Sequence, residues 1–93
     1  LEDMCLEGPC MIDAEGVHPQ TVGRLPGAVS AMINQQGAIH QLIIEAYQEK
    51  SRNKLLQAIL LDPTVSSYQN AVALIDEIFE KEKDLLPKMV WHE

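Results

Sequence analysis

Two cysteines and a histidine near the start of the sequence are the first residues whose types and spacing could do chemistry. Cys5 and Cys10 have four residues between them, and His18 follows eight residues after Cys10. Thiolates and imidazoles bind zinc, but structural zinc sites have four ligands and usually more closely spaced cysteine pairs. A disulfide between the two cysteines is an alternative. We expect neither, because a free cysteine in an apolar segment packs as a small hydrophobic residue and two cysteines do not make a disulfide scaffold.

His40 is the second candidate, because it falls inside the apolar arc of a long predicted helix, close to the direction of Tyr47. Gln36 lies one turn away on the same side. The pair could face a ligand or a metal at a buried interface. We favour the alternative in which His40 is hydrogen-bonded within a core or lies at a contact with another protein or domain.

Carboxylates are common but scattered along the predicted helices. A general acid–base pair needs two carboxyl groups that converge on one bond of a substrate, and nothing in the spacing forces a convergence. The sequence also lacks a P-loop, a G-x-G-x-x-G loop, H-E-x-x-H and G-x-S-x-G. The residues alone therefore predict no catalytic set. The carboxylates assigned to solvent-facing sides of helices are Glu45, Glu49, Asp76, Glu77 and Glu80.

The composition excludes several classes of function. The chain has 93 residues, 46% hydrophobic and 23% charged, which is typical of one globular domain or part of one. Its net charge of −7 disfavours nucleic acid and anionic membrane surfaces as partners. No apolar run reaches the ~20 residues that span a bilayer. Without a secretion signal we expect a cytoplasmic protein, and because the chain starts with Leu1 we expect a piece of a longer polypeptide.

A short β-hairpin is predicted near the start of the chain. Cys10–Ile12 and Val17–Val22 read as strands, and a four-residue loop, Asp13–Gly16, joins them, with Gly16 at a positive φ. Pro19 cannot donate to a ladder, so the second strand is expected at an edge or irregular there. Because an isolated hairpin is marginal in water, this one needs a surface to lie on.

A long helix is predicted from Val29 to Lys50. Its apolar side chains cover roughly 200° of the helix circumference, whereas a helix on the surface of a globule needs a stripe of only about 100°. We therefore expect this arc to be covered on more than one side. The arc consists of Val29, Met32, Ile33, Ile39, Leu42, Ile43, Ile44, Ala46 and Tyr47.

Two shorter helices follow. Ser51 is a predicted helix start, and Asn53–Leu61 is apolar on every side, which is typical of a buried helix. Asp62-Pro63 ends it, since the residue before a proline avoids the α region. Ser66 and Gln69 have the capping-box pattern of a third helix. The apolar face of that helix consists of Tyr68, Ala71, Val72, Leu74, Ile75, Ile78 and Phe79.

The elements together predict an α+β fold that is mostly helical, with a β-hairpin followed by three packed helices. Residues 1–25 form the hairpin region, and residues 26–93 form the helical region, which Pro87 closes. The apolar surface is generous for what 93 residues can enclose. We therefore expect the chain, 1–93, to be a fragment of one larger domain.

Several stretches, in this order and with these spacings, resemble the C-terminal end of glycoside hydrolase family 4. The resemblance runs from about Glu7 to Pro87, and its one departure is Gly8, where the family pattern has a valine. The stretches that carry it are Glu7-Gly8-Pro9, Gly16-Val17-His18-Pro19, Val22-Gly23-Arg24-Leu25-Pro26, Glu45-Ala46, Gln57-Ala58-Ile59-Leu60-Leu61-Asp62-Pro63 and Leu86-Pro87.

The resemblance implies a parent enzyme that hydrolyses O-glycosidic bonds with NAD and a divalent metal, usually manganese. Such enzymes oxidise the sugar at C3, eliminate the aglycone, add water and return the hydride, and so need no carboxylate pair. It further implies a lactate/malate dehydrogenase-like C-terminal domain and a homo-oligomer. The branch it suggests acts on unphosphorylated α-galactosides or α-galacturonides.

The family's catalytic, cofactor-binding and metal-binding motifs lie upstream of the segment that this chain resembles. None of Cys5, Cys10, His18, His40 or Tyr47 stands in a matching context. The resemblance thus assigns no catalytic, cofactor or metal residue to this chain, and the sugar substrate would be bound mainly by upstream residues. The chain would complete the scaffold against the rest of the parent enzyme.

Two other hypotheses follow from the residues. The chain could be a free-standing acidic helical module that binds a partner through the surface of Val29, Ile43 and Tyr47. It could also be a small metal-binding protein that uses Cys5, Cys10 and His18.

Overall fold

The computed structural model describes residues 4–92, and in them a β-hairpin precedes three helices. The predicted fold class is confirmed. The structure has two compact units, which meet in the sequence between Asn34 and Gln35. The elements are β1 (Cys10–Asp13), β2 (Gly16–Pro19), α1 (Gly27–Glu49), α2 (Arg52–Leu61) and α3 (Tyr68–Lys81).

The hairpin of the first unit is tighter and shorter than the sequence predicts. β1 continues to Asp13, which pairs with Gly16, so the connection has two residues and not four. The Asp13 carboxylate accepts the backbone N–H of Glu15 at 2.8 Å, a local bond that stabilises the tight turn. Gly16 has the predicted positive φ, +128°. No glycine is needed inside the turn, since Asp at its first position and Gly at its fourth are typical of type I.

β2 ends at Pro19 and does not reach Val22 as predicted. The last bond across the hairpin runs from the Gln20 N–H to the Pro9 carbonyl at 2.9 Å. Pro9 has no N–H with which to return a second bond, so the ladder stops there. Proline therefore limits both strands of the hairpin at its open end.

The end of α1 is fixed by a Schellman motif in which lysine takes the place that glycine usually fills. Lys50 has a φ of +54°, and its N–H donates to the carbonyl of Tyr47 at 3.4 Å. The next N–H, of Ser51, donates to the carbonyl of Ala46 at 3.0 Å. These two bonds satisfy carbonyls that a helix end leaves without partners. The predicted boundary of the helix at Lys50 is thereby confirmed to within one residue.

α2 begins at the predicted cap, and α3 begins one residue later than predicted. The Ser51 hydroxyl accepts the N–H of Lys54 at 3.2 Å. At α3 the cap is Ser67, whose hydroxyl accepts the N–H of Asn70 at 3.1 Å. The predicted capping box of Ser66 and Gln69 is therefore wrong, because the helix is capped by the neighbouring serine, which has no Glu or Gln three positions on.

The second unit builds a core where the C-terminal half of α1 meets α2 and α3. Ile75 is the largest side chain that is fully buried, with 1% of its surface exposed. Partly buried side chains, including Leu55 and Ile59, surround this core. The core cluster is Ala46, Leu56, Ala71, Ile75, Phe79 and Met89.

Burial on α1 and α2 is lower than the sequence predicts in the described part of the chain. The arc on α1 was expected to be covered on more than one side. Residues 4–92 bury only Ile39 and Ala46 of that helix, so its cover stays a prediction for the larger domain. α2 was expected to be buried all round, but Leu60 and Leu61 are exposed because its packed face is the one that meets the core. On α3, whose helix ends at Lys81, the large side chains of Tyr68, Leu74 and Ile78 are also exposed.

Beyond α3, the chain turns and returns along the start of α2. Pro87 was predicted to close the helical region, but α3 ends six residues earlier and a turn follows it. The N–H of Val90 then donates to the carbonyl of Lys50 at 2.9 Å, and the N–H of Arg52 donates to the carbonyl of Val90 at 2.8 Å. We call residues 88–92 the returning segment.

Candidate functional site

The hairpin separates the residues that the sequence offered as metal ligands. Met11 pairs with His18 and Cys10 pairs with Pro19. Because paired residues share a face and neighbours along a strand alternate, Cys10 and His18 lie on opposite faces. Cys5 and Cys10 are both free thiols exposed to solvent. This arrangement does not fit the proposed small metal-binding protein, which needs all three side chains at one ion.

His18 instead pairs with a carboxylate on its own face of the hairpin. Its Nε2 lies 3.0 Å from Oδ1 of Asp13. The hydrogen bond from His18, with the backbone N–H of Glu15 behind it, lowers the pKa of the Asp13 carboxyl. Asp13 thus holds the turn and the neighbouring strand together, and the histidine is part of this local network.

His40 and Gln36 are both exposed on α1. The expectation that His40 is hydrogen-bonded within a core is therefore wrong; its alternative, a contact with another protein or domain, stays a prediction. Tyr47 is also exposed, and the Lys50 ammonium lies 3.9 Å from the centre of its ring. The three side chains form no enclosed pocket among the described residues.

The carboxylates on the helices pair with lysines, as a solvated surface would. Glu77 lies 2.8 Å from Nζ of Lys81, and Glu45 lies 2.8 Å from Nζ of Lys54. The Lys54 hydrogen bond, together with one from Gln41, lowers the pKa of Glu45. The same hydrogen bond, to the Glu45 carboxylate, raises the pKa of Lys54. These pairs orient side chains but present no two carboxyl groups to a common substrate.

Asp76, which the sequence assigned to a solvent-facing side of a helix, joins α3 to two other parts of the second unit. One of its carboxylate oxygens accepts both Nη1 of Arg52 at 2.7 Å and Nε1 of Trp91 at 2.9 Å. Arg52 also donates through Nε to the carbonyl of Met89 at 2.9 Å and stacks over the ring of Phe79. No local sequence pattern could have joined these residues, since they lie on α2, α3 and the returning segment.

A second pair of bonds fixes the end of the returning segment. The Asn53 side chain donates to the carbonyl of His92 at 2.8 Å and accepts the N–H of His92 at 2.6 Å. An amide side chain that makes both bonds imitates a neighbouring strand. The returning segment is thus held at Lys50, Arg52 and Asn53 in turn, which makes it an integral part of the second unit.

Clefts of about 430 Å³ and about 260 Å³ lie in the second unit. The first, of about 430 Å³, has Phe79 and Met89 at its apolar part and charged groups such as Arg52, Lys83 and Asp84 around them. Within residues 4–92, no buried side-chain polar atom lacks a hydrogen-bond partner, so this cleft offers no buried group that selects a ligand. The second, of about 260 Å³, is an apolar groove, lined by Ile39, Ile43, Leu55, Ala58, Ile59, Asp62, Val65 and Leu74.

The described residues do not fit a manganese ion. Among residues 4–92, no three histidine, cysteine, aspartate or glutamate side chains come together in an arrangement that could hold a metal. Nor is any helix in this range both long and apolar enough to cross a membrane.

Comparison with known proteins identifies what the fold belongs to. Residues 1–65 match the Family 4 glycosyl hydrolase C-terminal domain. The maltose-6'-phosphate glucosidase of Clostridium acetobutylicum is 38% identical over 84 residues, which is 90% of this chain and 19% of that protein. That of Bacillus subtilis is 34% identical, with the same two coverages of 90% and 19%. The chain therefore spans about a fifth of the length of these relatives.

Solved structures agree with the sequence comparison. A 6-phospho-alpha-glucosidase from gut microorganisms, in complex with NAD and Mn²⁺, superposes with a TM-score of 0.77 at 26% identity, over 87% of this chain and 19% of that one. Another, in complex with NAD and glucose-6-phosphate, gives 0.73 at 35% identity over 81% and 17%. These relatives and solved structures are named for phosphorylated glucosides, not for the unphosphorylated α-galactosides or α-galacturonides of the branch that the resemblance suggested. The hairpin, the three helices and these matches together show that the chain belongs to the family 4 glycosyl hydrolases.

Proposed function

We propose that the chain is the C-terminal structural part of a longer enzyme that hydrolyses O-glycosidic bonds in carbohydrate metabolism. The observation that carries this proposal is the match of residues 1–65 to the family's C-terminal domain. The relatives are about five times as long as the chain. We call the longer polypeptide the parent enzyme. The mechanism proposed for the parent enzyme is the one that the resemblance implies, which is NAD-dependent oxidation, elimination and addition of water.

The substrate class follows from the relatives. Proteins that match this chain at 34–38% identity include two maltose-6'-phosphate glucosidases and a 6-phospho-alpha-glucosidase of Leptotrichia buccalis. One solved relative holds glucose-6-phosphate. We therefore propose a 6-phosphorylated α-glucoside as the substrate of the parent enzyme, bound mainly by residues outside this chain.

NAD and manganese are proposed as cofactors of the parent enzyme, because a relative with the same fold binds both. Residues 4–92 do not fit the metal, as Cys10 and His18 lie on opposite faces of the hairpin. No catalytic step is accordingly assigned to a residue of this chain.

The role proposed for the chain is to complete a scaffold. Residues 1–25 would be the hairpin region, residues 26–93 the helical region, and both would belong to one domain. Support comes from the apolar side chains that the chain itself does not cover, among them Ile43, Leu60 and Leu74. We propose that the rest of the parent enzyme covers them, and that the enzyme is a cytoplasmic homo-oligomer.

The free-standing acidic module is the rival of this proposal, but the family match does not favour it. A module that is complete by itself should not raise the fluorescence of a dye that binds exposed apolar surface. A part of a larger domain should bind the dye or self-associate, because its apolar side chains lack their natural cover.

The test of the proposed function is turnover of a 6-phospho-α-glucoside by the parent enzyme, with NAD and Mn²⁺ added and then withheld. We expect turnover that depends on both, and none from the 93-residue chain alone. Turnover by the chain alone, or none by the parent enzyme under any of these conditions, would contradict the proposal.

A further inference from the structure

The hairpin has two free edges, and they are not equivalent. Hydrogen-bonded and non-hydrogen-bonded pairs alternate along an antiparallel ladder. The bond from Gln20 to the Pro9 carbonyl fixes this alternation, so that the pairs Cys10–Pro19 and Ile12–Val17 are the non-hydrogen-bonded ones. The C=O groups of these four residues and the N–H groups of Cys10, Ile12 and Val17 therefore point outward, away from the other strand.

The free edge of β1 can accept a strand, whereas that of β2 is blocked. On β1, Cys10 and Ile12 both carry an outward N–H. On β2, Val17 carries one, but Pro19 has none. A proline on an edge strand is a common means of preventing further pairing. The backbone thus offers a regular edge on one side only.

The side chains of the hairpin are exposed on both faces. Ile12 has 76% of its surface exposed and Val17 62%, although they are paired apolar residues on the same face. A hairpin of two strands with no covering layer is marginal in water, and three strands or more are needed for an independently stable sheet. A further strand would provide backbone hydrogen bonds and side-chain contacts to these eight strand residues.

We propose that the free edge of β1, at Cys10 and Ile12, pairs with a β-strand from the part of the parent enzyme that lies outside this chain. This inference rests on the proposed function, since it takes its partner from the remaining four-fifths of the length seen in relatives. The partner strand carries an apolar side chain on the face of Ile12 and Val17. Its backbone bonds to Cys10 and Ile12 extend the hairpin into a sheet of at least three strands.

Amide hydrogen exchange in the parent enzyme tests the proposal without any substitution. Ile12 and Val17 both have outward N–H groups and similar β-branched side chains, so each is the matched control of the other. We expect the Ile12 amide to exchange at least about 100-fold more slowly than its intrinsic rate, and the Val17 amide to stay close to its own. Protection of Val17, or no protection of Ile12, would overturn the proposal.

A pair of proline variants of the parent enzyme gives a second measurement. Ile12→Pro removes an N–H from the β1 edge and Val17→Pro removes one from the β2 edge, and neither touches a bond inside the hairpin. We expect Ile12→Pro to lower the thermal midpoint well below that of Val17→Pro. Equal midpoints, or the reverse order, would count against the strand at β1.

Turnover measured on the same samples separates this inference from the proposed function. Turnover of the 6-phospho-α-glucoside together with an unprotected Ile12 amide would overturn the strand pairing alone. A protected Ile12 without turnover under any condition would support the pairing and overturn the proposed function.

Discussion

Ile12 and Ile75 are both isoleucines, but they lie in two regions that bury apolar side chains to very different extents. Ile12, in the hairpin, leaves 76% of its surface in water, whereas Ile75, in the helical core, leaves 1%. The helical unit closes its core with residues from three helices and the returning segment. The hairpin closes nothing by itself. The stability of this chain should therefore reside in residues 35–92, and the hairpin should depend on a partner.

The largest expected effect comes from truncating the two isoleucines. Ile75→Ala leaves a cavity in a packed core and should lower the free energy of unfolding by about 2–5 kcal/mol. Ile12→Ala in the same chain should change it by less than about 0.5 kcal/mol, as exposed positions do. Urea unfolding followed by circular dichroism measures both. Equal losses would mean that the hairpin has a core of its own.

Asp76 tests whether the returning segment belongs to the stable region. Asp76→Ala removes the acceptor of Arg52 and Trp91 and should cost about 1–2 kcal/mol. Trp91 is the only tryptophan of the chain, so its fluorescence should change at lower urea concentration than in the wild type. Glu77→Ala is the control, since it breaks only a surface pair with Lys81 and should cost less than about 1 kcal/mol. An unchanged Trp91 transition in Asp76→Ala would show that the segment is held without the Asp76 bonds.

The serine that caps α3 provides a sharper, smaller test inside the helical region. Ser67→Ala should destabilise by about 1 kcal/mol, because the N–H of Asn70 loses its acceptor. Ser66→Ala, one position away, should stay within about 0.5 kcal/mol. The two variants are compared in the same urea titration. A larger loss for Ser66→Ala would restore the capping box that the sequence predicted.

The smallest expected effect is on the pH dependence of stability. The fold lowers the pKa of Glu45, chiefly through the Lys54 hydrogen bond. A carboxyl with a lowered pKa stabilises the fold above its ordinary value of 4.5 and loses this contribution as the pH falls through its folded pKa. Thermal midpoints of the wild type should therefore drop more steeply below pH 4.5 than those of Glu45→Gln. Glu49→Gln, whose oxygen lies 3.6 Å from Lys54, should resemble the wild type more closely.

How far the sequence predicts this structure depends on how local each cause is. The hairpin, the three helices and the cap at Ser51 were predictable, because each arises from residues within a few positions of one another. The two-residue turn was not predictable, because it depends on the hydrogen bond from the backbone N–H of Glu15 to the Asp13 carboxylate. The cap at Ser67 was missed because Ser66, one position earlier, has a capping-box partner in Gln69, whereas Ser67 is followed at the same distance by Asn70.

Tertiary bonds were beyond the reach of sequence patterns. Asp76 meets Arg52 and Trp91 across separations of 24 and 15 residues, and nothing in the local pattern of α3 marks it out. The wide apolar arc on α1 was read correctly as a pattern, but the cover expected for it is not found among residues 4–92. The branch of the family that the sequence suggested also differs from the names of the relatives, because no stretch that carried the resemblance was interpreted as contacting a substrate.

Ser51 leaves no freedom in the length of the connection between α1 and α2. This residue, only 4% exposed, closes the Schellman motif, caps α2 and pairs with Val90. A single inserted residue would break at least one of these contacts, because all of them need Ser51 directly between the end of α1 and the start of α2. Relatives that fold in this way should therefore keep the spacing between these helices constant, and length variation among them should collect instead in the turn between α3 and the returning segment.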